Sequence, residues 1–259
     1  MPDPGGLIVD LRIIHVDDQL LVIDKPEGMH TAPLREGEAG TLLDAVIEQY
    51  PEVERVPGIK PVEPGLLHRL DKGTSGLVVI ARSVRAFAGL RRQFESGEVR
   101  KEYLAVSIPG AAVRSQRLSV SSRFAPLGPG RAKVQMVMSY EHRVRMLKEA
   151  SPDTYVTEAE IAERGAGCCL VRCTITRGFR HQVRVHLAHL GLPIVGDAIY
   201  GAPVPPGFGE RMYLHASAVE LHHPADGRPL RFESDLPGEF PLLLVSTMDG
   251  PQSAPCRDA

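Results

Sequence analysis

The pattern of apolar and polar residues near the amino end predicts a β-hairpin. Residues 13–16 and 20–23 are mainly apolar and rich in β-branched side chains, and Asp17, Asp18 and Gln19 separate them. A polar interruption between two such runs is typical of a turn joining two strands.

Alternation predicts a further strand at residues 99–108. Leu104 and Val106 point to one side of it, while Lys101 and Tyr103 point to the other. Side chains two positions apart in a strand share a face. Lys101 and Tyr103 are therefore expected to lie side by side.

Capping residues predict a helix after the apolar run 77–80. Ser83 is a suitable N-cap, and Gly97 is a suitable stop. Helical spacing places Val84, Phe87, Leu90 and Phe94 on its inward face.

The cysteines argue against both a disulfide framework and a metal site. Four cysteines, Cys168, Cys169, Cys173 and Cys256, are too few to cross-link a chain of 259 residues. The spacing of the first three does not form paired CxxC motifs. Alternate residues of the strand predicted at 169–175 are apolar, so buried free thiols are favoured.

Composition is typical of a globular protein, with 43% hydrophobic and 24% charged residues. No apolar run approaches the roughly 20 residues that span a bilayer, and residues 1–10, MPDPGGLIVD, lack the basic start and apolar block of a signal peptide. We expect a cytoplasmic protein with one domain over residues 1–248 and a disordered tail over 249–259.

Positive charge is concentrated in the middle of the chain. Residues 66–148 carry 16 lysines and arginines against 5 acidic residues, although the whole chain has a net charge of −2. A basic surface of this kind suits a nucleic-acid backbone, but a solvated surface without a partner fits the charge equally well.

One carboxylate, Asp71, stands in a polar turn directly ahead of the apolar run 77–80. An aspartate in such a turn commonly accepts backbone N–H bonds, which would make it structural. The string around it, HRLDKGTSGL, nevertheless resembles the catalytic motif of the RluA-type pseudouridine synthases. KEYLAV at residues 101–106 resembles the family's second block, and residues 174–201 resemble its third.

The resemblance covers residues 8–240 and implies a role for several side chains. Asp71 would be the catalytic carboxylate, Tyr103 a second active-site residue and Arg184 the guanidinium partner of Asp71. An arginine suits that role because it is always charged and can grip a carboxylate bidentately. Residues 177–180, RGFR, depart from the family's usual Thr-Gly-Arg-Thr. The residues implied to bind RNA are Arg69, which would fill the space left by a flipped base, and His68, Lys101, Arg180, His181 and Gln182.

The resemblance also implies the fold and the reaction. The expected fold is α+β, with a curved mixed, mainly antiparallel sheet flanked by helices around a central cleft. The expected activity is isomerisation of uridine to pseudouridine in ribosomal or transfer RNA, without a metal or cofactor and with a monomer sufficing. Too few residues precede the matched region for the small N-terminal RNA-binding module of many relatives, so the catalytic domain is expected to select the substrate.

Two other functions remain compatible with the sequence. A catalytically inactive RNA-binding or ribosome-assembly factor would keep the basic segment without needing Asp71. A hydrolase would need a second carboxylate or a histidine base placed with Asp71, and none so placed is evident in the motif.

Overall fold

A mixed β-sheet is the centre of the molecule. The structure is a computed structural model and describes residues 11–35, 37–138, 144–165 and 167–245. The tail 249–259, predicted to be disordered, lies outside these residues. Within them, no helix is long and apolar enough to cross a bilayer.

The described residues form ten strands, five α-helices and two short 3₁₀ helices. The strands are β1 Arg12–Val16, β2 Leu20–Lys25, β3 Ser75–Ala81, β4 Arg100–Ser107, β5 Arg117–Leu127, β6 Lys133–Val137, β7 Tyr155–Arg164, β8 Cys169–Ile175, β9 Leu214–His222 and β10 Pro229–Glu233. The helices are α1 Leu42–Gln49, α2 Val84–Ser96, α3 Val144–Glu149, α4 Gln182–His189 and α5 Glu239–Val245, with 3₁₀ turns at Pro51–Arg55 and Pro129–Arg131.

The strands follow the order β1-β2-β3-β9-β4-β8-β7-β5-β6, and β10 pairs with β9. Neighbouring strands in the described residues are antiparallel except β3 and β9, which are parallel. The predicted α+β class with a mixed, mainly antiparallel sheet is therefore confirmed.

Local sequence signals place the first hairpin and α2 as predicted. Asp17 accepts N–H bonds from Gln19 and Leu20 and so closes the β1–β2 turn. Ser83 caps α2, and Gly97 ends it in the left-handed conformation. The prediction that Val84 faces inward is wrong, because it lies in the first turn, before the helix packs on β3, and is exposed.

Apolar side chains cover both faces of β3. Val78 and Ile80 pack in one core cluster, while Leu77, Val79 and Ala81 pack in another. Burial on both faces explains why the strand is a continuous apolar run and does not alternate. In β8, by contrast, the predicted alternation holds, and the thiols are free and buried.

A glycine allows β3 and β9 to run parallel at the centre of the sheet. Gly76 has a φ of 112°, and a Cβ there would lie 2.3 Å from the backbone oxygen of Ala216. Only glycine fits this conformation and this close approach. The turn that carries Asp71 is thus held at the middle of the sheet.

Candidate active site

A cleft of about 1750 Å³ opens beside the turn that precedes β3. All nine side chains proposed from the sequence for catalysis or RNA contact line it. They come from the turn before β3, from β4 and from the segment that begins α4, which are far apart in the chain. The fold thus brings the predicted residues together, although their roles stay predictions.

Asp71 presents its carboxylate to this cleft. Its backbone oxygen accepts the N–H of Thr74 and closes the turn. The carboxylate instead receives Nη1 of Arg184 on Oδ2 at 2.7 Å, and the side chain is 27% exposed. Among the described residues, no backbone N–H donates to the carboxylate, so the structure gives no support to a purely capping role.

Arg184 is held in place by a second carboxylate, Asp197. Its Nε and Nη2 donate to the two oxygens of Asp197 at 2.7 Å each. The fully buried Asp197 also accepts the backbone N–H groups of Ile199 and Tyr200. Arg184 therefore donates to Asp71 from Nη1, the guanidinium nitrogen that is not bonded to Asp197.

The charges in this chain of contacts support one another. Burial alone would lower the pKa of Arg184, but its hydrogen bonds and the charges of Asp197 and Asp71 raise it above the ordinary value. Burial would raise the pKa of Asp197, yet the bond and charge of Arg184 lower it. Arg184 and Asp197 consequently stay ionised at neutral pH.

Gln182, predicted to contact RNA, is bonded within the protein. Its side chain is only 2% exposed, and it donates to Val156 O at 2.9 Å while accepting the N–H of Phe179. The first half of α4 is buried against β6 and β7, so a polar side chain here must bond within the protein. Gln182 thus bonds to the turn of residues 177–180, and its contact with RNA stays a prediction.

Tyr103 lies on β4 with its side chain buried at the cleft. Burial, the Asp71 charge and the neighbouring Cys173 raise the pKa of its hydroxyl above the ordinary value. Tyr103 therefore keeps its proton, so it can donate a hydrogen bond but cannot serve as a base at neutral pH.

Lys101 shares the buried face of β4 with Tyr103, as predicted. Its Nζ lies 5.3 Å from the ring centroid of Phe94, and the ring of His68 stacks on the same Phe94. Burial lowers the pKa of Lys101 to about 8. Burial and the charge of Lys101 lower the pKa of His68 to about 3, and its Nε2 accepts the N–H of Val79.

Arg180 and His181 lie at the start of α4. Arg180 is exposed and donates to the backbone oxygens of Arg131 and Lys133, so it ties this turn to the β5–β6 hairpin. His181 points into the cleft, with its Nε2 at 3.8 Å from Oδ1 of Asp71.

Arg69 is docked against the connector that precedes the turn with Asp71. Its Nη1 donates at 2.6 Å to Oε1 of Glu63, whose side chain is 3% exposed. Lys60 approaches the same oxygen at 3.4 Å. Arg69 must leave this carboxylate if it is to enter an RNA helix.

Sequence reasoning missed Asp197 and Glu63 as site residues. One signal could have found Asp197, because it is the single Asp, Glu, Lys or Arg among residues 187–209. A lone charge in so apolar a stretch indicates a buried partner. No comparable signal marks Glu63, which stands in a loop rich in charge and proline.

Comparison with known proteins decides the family. The profile of a family described as RNA pseudouridylate synthase matches residues 19–189. The chain belongs to this family. The matched range of this RNA pseudouridylate synthase includes Asp71, Tyr103 and Arg184 but ends before Asp197.

Individual relatives agree over most of the chain. Ribosomal large subunit pseudouridine synthase D of Nitrosomonas europaea is 33% identical over 96% of this chain and 69% of its own length. The protein of the same name from Pseudomonas aeruginosa is 33% identical over 91% of this chain and 71% of its own. The structure of human RNA pseudouridylate synthase domain containing 1 superposes with a TM-score of 0.64 and 26% identity, covering 90% of this chain and 86% of its own.

Metal ligands are not gathered at the cleft of this family member. Within the residues that the structure describes, no group of three or more His, Cys, Asp or Glu could hold a metal ion. The expectation that no metal or cofactor takes part stays a prediction.

Because Lys101 is buried, we predict that it lowers the stability of the folded protein while it strengthens RNA binding. At pH 7 the ammonium is charged in the folded and unfolded states, and Lys101→Met should raise the free energy of unfolding by up to about 3 kcal/mol, since one pKa unit is about 1.4 kcal/mol. The folded pKa is the lower one, so wild-type stability should rise with pH from about 8 towards the unfolded value, and the advantage of the variant should shrink.

Urea unfolding at pH 7 and pH 10 and RNA binding at pH 7 would test this prediction. Lys101→Met should bind RNA more weakly, whereas the exposed control Lys148→Met should show no such pH-dependent gain in stability. An equal gain for Lys101→Met at both pH values would contradict the account.

Proposed function

We propose that this protein converts specific uridines of ribosomal or transfer RNA into pseudouridine, with Asp71 as the reacting carboxylate. One observation carries the assignment of Asp71: Arg184 holds one of its oxygens at 2.7 Å, while the carboxylate faces the cleft. The bacterial relatives are named for the large ribosomal subunit, which supports ribosomal RNA as a substrate.

A uridine must leave its helix before its glycosidic bond can enter the cleft. Flipping the nucleotide costs a few kcal/mol of stacking and pairing. The basic segment 66–148 would hold the RNA backbone, and Arg69 would leave Glu63 and stack in the vacated space.

The reaction exchanges one bond of the uracil for another. The bond from the ribose anomeric carbon to N1 breaks, the uracil rotates, and a bond forms from the same carbon to C5. C5 then loses its proton and N1 gains one, so the reaction is an isomerisation. Asp71 can serve by attacking the sugar, attacking the base or taking a sugar proton, and each route gives the same product.

The environment of Asp71 suits these steps. Arg184 occupies Oδ2 and keeps the carboxylate in one orientation, leaving Oδ1 for the substrate. Tyr103 keeps its proton beside Asp71 and can pack against the base while donating to it.

We also propose that this protein has one catalytic domain, acts as a single chain and lies in the cytoplasm. Residues 1–248 would form one catalytic domain, and a single chain supplies every side chain proposed for the reaction. Because the relatives are named for a ribosomal subunit, we place this protein in the cytoplasm. Neither the family nor the relatives favour the catalytically inactive alternative.

Release of tritium from carbon 5 of uracil tests the reaction. Wild-type protein should release label from unmodified ribosomal or transfer RNA transcripts, because C5 loses its hydrogen. Asp71→Asn should reduce release below detection while RNA binding persists, and the exposed control Asp18→Asn should match wild type. Binding without release by wild type would favour the inactive factor, and free uracil would indicate a hydrolase.

The docked position of Arg69 predicts how two variants differ. Arg69→Ala should slow modification of a folded stem-loop by at least about tenfold, because an unfilled stack costs a few kcal/mol. A flexible single strand should be affected less. Glu63→Gln removes the charge that holds Arg69 and should modify the stem-loop at least as fast as wild type.

Single-turnover rates on both RNAs would test this pair. Equal losses on the two RNAs for Arg69→Ala would count against a helix-filling role. A loss in Glu63→Gln as large as that in Arg69→Ala would show that Arg69 acts from its docked position.

A further inference from the structure

The residue that begins α4 has an unusual backbone. His181 has φ 58° and ψ 13°, in the left-handed region that residues other than glycine seldom adopt. Its side chain does not cap the helix. The conformation instead directs the imidazole into the cleft, and strain of this kind concentrates at functional sites.

The hydrogen bonds around Tyr200 accommodate the tautomer of His181 that carries its proton on Nδ1. The hydroxyl of Tyr200 accepts the N–H of Val134 at 2.7 Å and donates its only proton to the oxygen of Val134 at 3.1 Å. In this arrangement the hydroxyl accepts from Nδ1 of His181, at 3.1 Å. With the Tyr200 proton on Val134, neutral His181 is protonated on Nδ1 and has a lone pair on Nε2.

That lone pair faces the reacting carboxylate. Nε2 of His181 lies 3.8 Å from Oδ1 of Asp71. Burial and the charges of Arg184 and Arg180 lower the pKa of His181, and they outweigh the opposing charges of Asp71 and Asp197. The imidazole is neutral at pH 7 and can accept a proton.

Three other groups at the cleft are less suited to accept a proton. Tyr103 stays protonated because burial and the Asp71 charge raise its pKa. His68 already uses its Nε2 to accept the N–H of Val79. Asp71 has Oδ2 bound to Arg184 and is assigned to the exchange of the glycosidic bond.

We propose that Nε2 of His181 accepts the proton that leaves carbon 5 of the uracil. This inference rests on the proposed function. After the bond between the anomeric carbon and C5 has formed, the electrons of the C5–H bond restore the C5–C6 double bond. The electrons of the N1–C6 double bond return to N1, which takes up a proton.

The proton balance then closes without another reactant. The imidazolium formed at His181 lies beside the Asp71 carboxylate, which stabilises it. It returns a proton to N1 directly or through water, so no net proton is gained or lost. Exchange of the imidazolium with water carries the label from carbon 5 into the solvent.

Two substrates separate proton transfer from the earlier bond exchange. Uridine at the target site requires loss of the C5 proton, whereas 5-fluorouridine has no proton there and reports only on cleavage and reattachment. The variant is His181→Asn, because asparagine tolerates the left-handed backbone but is no base at pH 7. His189→Asn, at an exposed position of the same helix, is the matched control.

The expected result is a selective loss. His181→Asn should slow single-turnover conversion of uridine by at least about 100-fold, the usual contribution of a general base. It should rearrange 5-fluorouridine at nearly the wild-type rate. Uridine deuterated at carbon 5 should show a larger isotope effect with the variant than with wild type, since proton removal becomes limiting.

Other results would overturn the inference. Equal losses on uridine and 5-fluorouridine, without a larger isotope effect, would assign His181 to binding or folding. Unchanged conversion of uridine would exclude it as the proton acceptor. Far-UV circular dichroism verifies folding, and His181→Gln replaces the variant if asparagine disrupts it. Wild-type protein that forms no pseudouridine would contradict the proposed function itself.

Discussion

A single guanidinium shared between two carboxylates is the interaction on which the site depends. Arg184 gives two nitrogens to the buried Asp197 and one to Asp71. A charge at this depth is costly unless its partners are complete, and loss of one partner typically costs about 3–5 kcal/mol. Asp197 in turn accepts hydrogen bonds from the backbone N–H groups of Ile199 and Tyr200. The loop after α4, the helix itself and the turn before β3 are thereby held in one arrangement, which leaves Oδ1 of Asp71 for the substrate.

Two other features of the cleft lower the stability of the folded protein. Lys101 is buried with its pKa lowered to about 8, and His181 has a left-handed backbone. Neither Lys101 nor His181 belongs to the two core clusters on the faces of β3. Perturbed titratable groups and strained backbone gather at active sites. The cleft therefore combines an apolar, well-packed sheet with a buried charge at Lys101 and a strained backbone at His181.

The parts of the structure that follow from local chemistry could be predicted from the sequence. The β1–β2 hairpin, the caps of α2 and the alternation of β8 depend on residues close in the chain. The nine residues proposed from the motifs all line one cleft of the folded protein. Contacts between distant segments could not be predicted in the same way. The bonds from Arg184 to Asp197 and from Arg69 to Glu63 depend on tertiary packing, and so does the burial of Gln182 at the start of α4.

The central claim is that Asp197 positions Arg184, and through it Asp71. The single-turnover rate of pseudouridine formation by Asp197→Asn, at saturating RNA, tests this most directly, with the exposed Asp226→Asn as control. Asparagine keeps the shape but removes the charge and one acceptor oxygen, so Arg184 should shift. We expect unchanged RNA affinity and a rate about 100-fold lower, which is the effect of misplacing a catalytic group by about 1 Å. A folded Asp197→Asn protein with the wild-type rate would contradict the account.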